Sequence, residues 1–222
     1  MTSVIPSAPV RERPRVFRVA RAVLLIVAVF SVLTALLQTW TVTTGRTLLV
    51  SGGADGRLPL RSLPQLLQAE PREGTAPTLA DAALSLRLLG ALPSLLQAVT
   101  IVPATVFLLR VLRGIAAGRP FDPFVLANWR RLSLALLIGG VAQGLADTAA
   151  GLYLSSGIGL LFAAGRVTDE QRDAFLGGDY QAIGTNLPQW PVPVLLAGVV
   201  ALALTAAFRA GAKLERDVDG VV

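Results

Sequence analysis

Four long apolar stretches decide what this chain can fold into. They cover approximately residues 22–42, 88–109, 132–154 and 191–208. A transmembrane helix needs about 20 mostly apolar residues to cross roughly 30 Å of hydrocarbon. Charged residues make up only 15% of the chain, whereas a soluble domain has about 25%. We therefore predict an all-α membrane protein, a bundle of four transmembrane helices. We expect the first stretch to be an uncleaved signal anchor, because no clear small-residue cleavage site follows it.

The distribution of positive charge predicts the orientation of the bundle. Thirteen of the 20 lysines and arginines fall in the N-terminal tail, in an inner loop of about residues 110–131 and in the C-terminal tail. Loops rich in Lys and Arg stay in the cytoplasm, so we expect both termini there. This pattern accounts for the net charge of +6. We therefore favour contact with the anionic headgroups of the lipid bilayer over direct nucleic-acid binding.

The two remaining loops, of about residues 43–87 and 155–190, should form a small extracytoplasmic cap. A run at residues 41–50, rich in β-branched side chains and broken at Gly45, predicts a short strand or hairpin. Thr78 is expected to cap a helix that leads into the second span. Thr168 begins a capping-box pattern ahead of a short helix, which Gly177 should end. We expect this cap to be part of the single membrane domain.

The absence of cysteine and histidine excludes several kinds of site. The chain contains neither residue, so it has no thiolate or imidazole metal ligand, no cysteine nucleophile and no disulfide. It also lacks a P-loop and a pair of membrane-embedded aspartates. We therefore predict a protein that is not an enzyme and has no catalytic residues, metal or cofactor.

Asp147 is the one charged residue within the third apolar stretch. A carboxylate near the middle of a bilayer costs at least about 2.5–3.5 kcal/mol on insertion scales, so it needs a partner. The helical spacing places Gly140, Gly144 and Gly151 on the same face as Asp147, with Gln143 one turn away. Small residues allow close helix packing, and Gly140-x-x-x-Gly144 would also permit a homodimer. We favour packing within the chain.

The expected partners of Asp147 come from the first two helices. Gln97 and Ser94 should lie at a comparable depth if the second and third helices form an antiparallel hairpin. Arg87 and Gln38 are alternatives. The carboxylate then either forms an ion or proton site or fixes the register of the helices. We favour the structural role, because a lone acid makes a poor proton relay.

Short motifs in the inner loop and the C-terminal tail carry a family resemblance. They are Gly118-x-Pro120-Phe121, Asn128-x-x-Arg131-Leu132, Phe208-Arg209-x-Gly211-x-x-Leu214, Asp217-x-Asp219 and Val221-Val222. With them the chain resembles the domain-of-unknown-function 2975 family of small bacterial membrane proteins. The resemblance implies four spans, a multi-pass location in the bacterial plasma membrane and cytoplasmic termini. It also implies a small transcriptional regulator as a protein partner, but no established activity.

Two functions follow from these patterns. The first is a non-catalytic structural or regulatory role, in which Phe121, Asn128 and Arg131 form a cytoplasmic surface for a protein partner. The alternative is a small transporter or channel-like protein that uses the intramembrane polar site of Asp147, Gln143 and Gln97.

Overall fold

The computed structural model of the protein describes residues 14–48, 55–160 and 163–219. Five α-helices lie in these ranges: α1 (Pro14–Thr44), α2 (Leu84–Ala116), α3 (Pro123–Gly157), α4 (Asp169–Leu176) and α5 (Val192–Asp219). All except α4 are long and apolar enough to cross a membrane. The prediction of four such helices is therefore confirmed. Val221 and Val222 of the tail motif lie outside the described residues.

The long helices extend beyond the predicted apolar spans. The clearest case is α3, which begins at Pro123 and continues through the arginines at its start. The Asp122 carboxylate caps it by accepting a 2.7 Å hydrogen bond from the Phe124 N–H, and proline is favoured in a first helical turn. The separate amphipathic turn expected inside the inner loop is therefore the first part of α3. Arginine is a good helix former, so a change in polarity does not end the helix.

The four long helices lie side by side in the order α1, α2, α3 and α5. Helix α2 packs against α1 and α3, and α3 also packs against α5. Near the start of the chain, Phe17 lies beside Leu109 of α2. Near its other end, Gly211 lies against the Phe121 ring. The start of α1, the connection between α2 and α3 and the end of α5 therefore share one end of the bundle.

The opposite end carries a two-stranded antiparallel sheet. Strand β1 (Leu66–Pro71) pairs with β2 (Tyr180–Thr185), and an ion pair of 2.9 Å between Arg72 and Asp179 lies at one end of the sheet. Each strand comes from a different loop. We call residues 55–83 and 163–191 the cap.

The strand or hairpin predicted at residues 41–50 is present only in part among the described residues. Residues up to Thr44 belong to α1, but Arg46 forms an antiparallel bridge with Arg57. Backbone hydrogen bonds from Thr47 N to the Gly56 carbonyl and from Leu58 N to the Gly45 carbonyl flank this bridge. Residues 49–54 lie outside the described part of the chain. The sheet forms elsewhere, between segments far apart in the chain, a pairing that local β-propensity does not reveal.

The cap and the helix ends share one hydrophobic core. Its fully buried leucines are Leu60, Leu63, Leu79, Leu86, Leu154 and Leu176. Thr168 and Gln171 form the predicted capping box at the start of α4, and Gly177 ends that helix with φ of 77°. The Thr78 capping box instead begins a 3₁₀ turn, Leu79–Asp81, and α2 starts only at Leu84. The cap is thus fixed to the bundle by apolar packing.

Candidate functional site

Asp147 accepts two hydrogen bonds from residues of the cap. Its Oδ1 accepts a 2.9 Å hydrogen bond from Gln65 Nε2, and its Oδ2 accepts a 2.6 Å bond from the backbone N–H of Gln189. Both donors belong to cap segments. Helix α3 continues to Gly157, roughly 15 Å beyond Asp147 at the usual helical rise. Asp147 therefore lies under the cap, nearer to one end of the bundle than its expected place in the middle.

The partners expected from the sequence do not make these hydrogen bonds. Arg87 points elsewhere, since its Nη1 donates a 3.1 Å hydrogen bond to the Thr43 carbonyl and so joins α2 to the end of α1. The actual side-chain donor, Gln65, is 82 positions away from Asp147 in the chain. It lies in a loop without helical or strand periodicity, and nothing in the sequence marks it as a partner of Asp147.

The expected polar residues nevertheless surround Asp147. A cavity of about 250 Å³ lies beside the carboxylate. Its polar walls come from α1, α2, α3 and the cap: Gln38, Gln65, Ser94, Gln97, Gln143, Asp147 and Gln189. We call this space the polar cavity. The structure thus brings the predicted site of Asp147, Gln143 and Gln97 together and adds Gln65. The walls combine neutral amides and a hydroxyl with a single carboxylate.

Gln65 has a buried hydrogen-bond acceptor without a partner. Only 4% of the residue is exposed. A carboxylate accepts hydrogen bonds and cannot donate them, so the Gln65 amide must turn its NH₂ group toward Asp147. This leaves Oε1 of Gln65 without a partner among the described residues. Such a buried unsatisfied acceptor costs about 1–3 kcal/mol, so a donor that reached Oε1 from the cavity would be stabilised there.

The glycines of α3 lie against different neighbours. An added Cβ at Gly140 would be 2.8 Å from Leu195 Cδ2, and one at Gly144 would be 2.5 Å from Trp190 Cε3. Both glycines are therefore covered by residues at or just before the start of α5. Gly151 has nothing within 4 Å of the same position. The face that would allow a homodimer is occupied at Gly140 and Gly144 by the chain's own residues.

The three residues expected on a cytoplasmic surface do not form one surface. Phe121 packs edge-on against Phe208, with ring centroids 6.1 Å apart. Asn128 is fully buried, and its Nδ2 donates a 2.7 Å hydrogen bond to the Phe124 carbonyl. Arg131 is exposed. Asn128 therefore does not fit a docking role, because its side chain is enclosed by the bundle.

Among residues 14–48, 55–160 and 163–219, no group of three or more acidic side chains is placed to hold a metal ion. Comparison of the chain with protein-family models, with curated proteins and with solved structures gave no match. The resemblance to the domain-of-unknown-function 2975 family stays a prediction.

Proposed function

We propose that this chain is a small, non-catalytic, transporter-like protein of the bacterial plasma membrane that binds a cationic solute at Asp147. The observation that carries the proposal is one cavity lined by Asp147 and by Gln65, whose buried Oε1 has no hydrogen-bond partner among the described residues. The polar cavity lies where two cap segments close over α3. The structural role for Asp147 and the solute site are compatible, because the same carboxylate also ties the cap to the helix.

The charge of the occupant follows from the walls of the polar cavity. Asp147 supplies a negative charge and further lone pairs beyond the two that already accept hydrogen bonds. Gln65 supplies an acceptor that lacks a donor. An ammonium group donates several hydrogen bonds and carries one positive charge, so it matches both. An anion would face two acceptors and no cationic side chain lining the cavity.

The orientation is proposed from the basic residues at the end opposite the cap. They include Arg18, Arg21, Arg110, Arg113, Arg119, Arg130, Arg131 and Arg209. Several of them line two clefts between the start of α1, the end of α2 and the start of α3. Positive residues near helix ends remain on the cytoplasmic side. We place both termini in the cytoplasm and the cap outside, so that the polar cavity is reached from the outer face.

Binding of ammonium ions to the purified protein tests this proposal. We expect methylammonium to bind the detergent-solubilised full chain in isothermal titration calorimetry, and Asp147→Asn to abolish the signal. Asp169→Asn is the matched control, since the Asp169 side chain is 90% exposed on α4 and outside the polar cavity. Binding that survives Asp147→Asn, or a wild-type protein that binds no ammonium ion, would reject the proposal.

A second candidate function rests on the exposed cytoplasmic face of α3. Phe124 is 57% exposed, and Arg131 is exposed two turns further along the same face. A bulky apolar side chain beside a cation suits docking of a protein partner, here a small transcriptional regulator encoded by a neighbouring gene. In co-expression, Phe124→Ser and Arg131→Glu should abolish co-purification of that regulator, whereas Arg172→Glu in the cap should not. Unchanged co-purification would remove this candidate.

A further inference from the structure

We infer that the ligand of the polar cavity is amphipathic, a cation whose ammonium head lies at Asp147 and whose hydrocarbon chain lies between α2, α3 and α5. The inference rests on the proposed function and specifies its substrate class. It comes from a second cavity, which shares the lining residues Gln97 and Gln143 with the first.

The second cavity has a volume of about 390 Å³. Its walls are mostly aliphatic and include Ile101, Ala104, Leu132, Leu136, Val200 and Leu204. We call it the apolar cavity. It exists because α3 packs against both α2 and α5, whereas α2 and α5 do not pack closely against each other. Alanines at positions 104, 197 and 201 leave the space between these two helices unfilled.

The two cavities meet at Gln97 and Gln143. Each of these glutamines lines both the polar and the apolar cavity. Beyond them the apolar cavity extends along α3 to Trp129, which stacks on Phe208 with ring centroids 6.1 Å apart. One molecule that occupies both spaces would therefore meet a carboxylate and amides first, and aliphatic side chains along the rest of its length.

This sequence of environments selects an amphiphile over a small hydrophilic solute. An ammonium ion without a chain would satisfy Asp147 and Gln65 but would make no contact with the apolar cavity. Burial of each methylene group of an attached chain favours binding by transfer from water. An acyl chain of a bilayer lipid would fill the apolar cavity alone and leave Oε1 of Gln65 without a donor. Only a molecule with both parts matches both cavities.

A chain-length series with the full-length protein in detergent tests the inference. The ligands are methylammonium, butylammonium, hexylammonium and octylammonium, with octanol as the uncharged probe. For the wild-type protein we expect the affinity to rise by up to about fourfold per added methylene group. Asp147→Asn should weaken binding of every ammonium ion, and octanol should bind far more weakly than octylammonium.

Variants that fill the apolar cavity distinguish binding of the hydrocarbon chain in this cavity from its partition into detergent. Ala201→Leu and Ala197→Leu place larger side chains in the cavity and should flatten the chain-length series while leaving methylammonium binding unchanged. Ala201 is buried, and Ala201→Leu could prevent folding. Ala197 is exposed, so we expect Ala197→Leu to fold and to serve as the second variant. Ala203→Leu is the control, because Ala203 is exposed and lines neither cavity. Partition into detergent is the same for all variants and cancels in the comparison.

The outcomes distinguish the two proposals. In one outcome, methylammonium binds in a way that depends on Asp147, but the chain-length effect is the same in the wild type and the cavity-filling variants. This outcome would contradict the amphipathic ligand and would still support the cation site. Octanol bound as tightly as octylammonium would show that the apolar cavity takes any hydrocarbon chain, which also overturns the inference. Failure of every ammonium ion to bind would reject both proposals.

Discussion

Gln65 Nε2 and Asp147 Oδ1 lie 2.9 Å apart, and this hydrogen bond joins the cap to α3 across 82 positions of the chain. A second bond, from the Gln189 N–H to Oδ2, joins the other cap segment to the same carboxylate. Asp147 therefore accepts a hydrogen bond from each of the two cap segments, in addition to the apolar packing between the cap and the bundle.

Two replacements of Asp147 should show how much its hydrogen bonds contribute to the stability of the folded protein. Asp147→Leu removes the acceptor of two donors. The Gln65 donor is buried, and a buried donor left without a partner costs about 1–3 kcal/mol. Asp147→Asn keeps the size and one acceptor oxygen. We expect thermal unfolding in detergent to rank stability as wild type, then Asp147→Asn, then Asp147→Leu. Equal stability of the two variants would contradict a stabilising role for the hydrogen bonds between Asp147 and the cap.

The long helices could be predicted because length and apolarity are local properties of the sequence. The same holds for the Thr168 capping box, which lies within four consecutive residues. The partner strands could not be predicted, because β1 and β2 are separated by α2, α3 and α4. Their pairing depends on the packing of the helices that bring the two loops together, and no short stretch of sequence encodes it.

The candidate site was predictable to the same extent. The helical period places Gln143 near Asp147, and antiparallel packing of α2 and α3 brings Gln97 to the same depth. Gln65 and Gln189 could not be found in this way, because they lie in irregular segments whose course is set by the shared core of the cap. Asn128 was predicted to lie in the inner loop on a cytoplasmic surface, whereas α3 already includes it and its side chain is fully buried.

The glycine stripe of α3 provides a matched pair of substitutions. Gly144→Ala would place a Cβ 2.5 Å from the Trp190 ring, so the segment before α5 must move. Gly151→Ala meets nothing within 4 Å and gains helix propensity of up to about 1 kcal/mol. We expect Gly144→Ala to lower the midpoint of thermal unfolding and Gly151→Ala to leave it unchanged or raise it. A comparable loss in both variants would contradict the packing of Trp190 on Gly144.

The Thr78 cap should make stability depend on acidic pH. Asp81 Oδ2 accepts hydrogen bonds of 2.6 Å from Thr78 Oγ1 and 2.9 Å from Thr78 N, and the hydroxyl bond is the main cause that lowers the pKa of Asp81. A carboxyl with a lowered pKa in the folded state stabilises it above the ordinary pKa of about 4. This contribution is lost as the pH falls through the lowered value.

Thr78→Val should therefore reduce stability at neutral pH and lessen its further loss in acid. Thr168→Val is the control, since Thr168 bonds to the neutral Gln171 and its loss should cost the same at every pH. Unfolding midpoints recorded from neutral pH down to about pH 3, across the ordinary range of a carboxyl, give the comparison. If the loss of stability in acid were the same in Thr78→Val as in the wild type, the Thr78 hydroxyl would not be the main cause of the lowered pKa of Asp81.

The two tyrosines of the chain make a final matched pair. Tyr180 is 3% exposed, and its hydroxyl is buried without a hydrogen-bond partner among the described residues. The Tyr153 hydroxyl instead donates a 2.8 Å hydrogen bond to Ser85 Oγ. Tyr180→Phe should leave stability at neutral pH unchanged or raise it, because it removes an unsatisfied buried group. Tyr153→Phe should lower stability by about 0.5–1.5 kcal/mol.

Alkaline pH separates the two variants further. Burial, followed by the negative charge of Asp81, raises the pKa of Tyr180 to about 12, whereas an unfolded tyrosine ionises near pH 10. Unfolding then releases a proton between these values, so the wild-type protein loses stability as the pH rises from about 10 to about 12. The chain has a single lysine, so few other groups titrate in this window. Tyr180→Phe should reduce the alkaline loss, measured as the difference in unfolding free energy between the variant and the wild type. A difference that stays constant from neutral to alkaline pH would show that the Tyr180 hydroxyl is accessible to solvent.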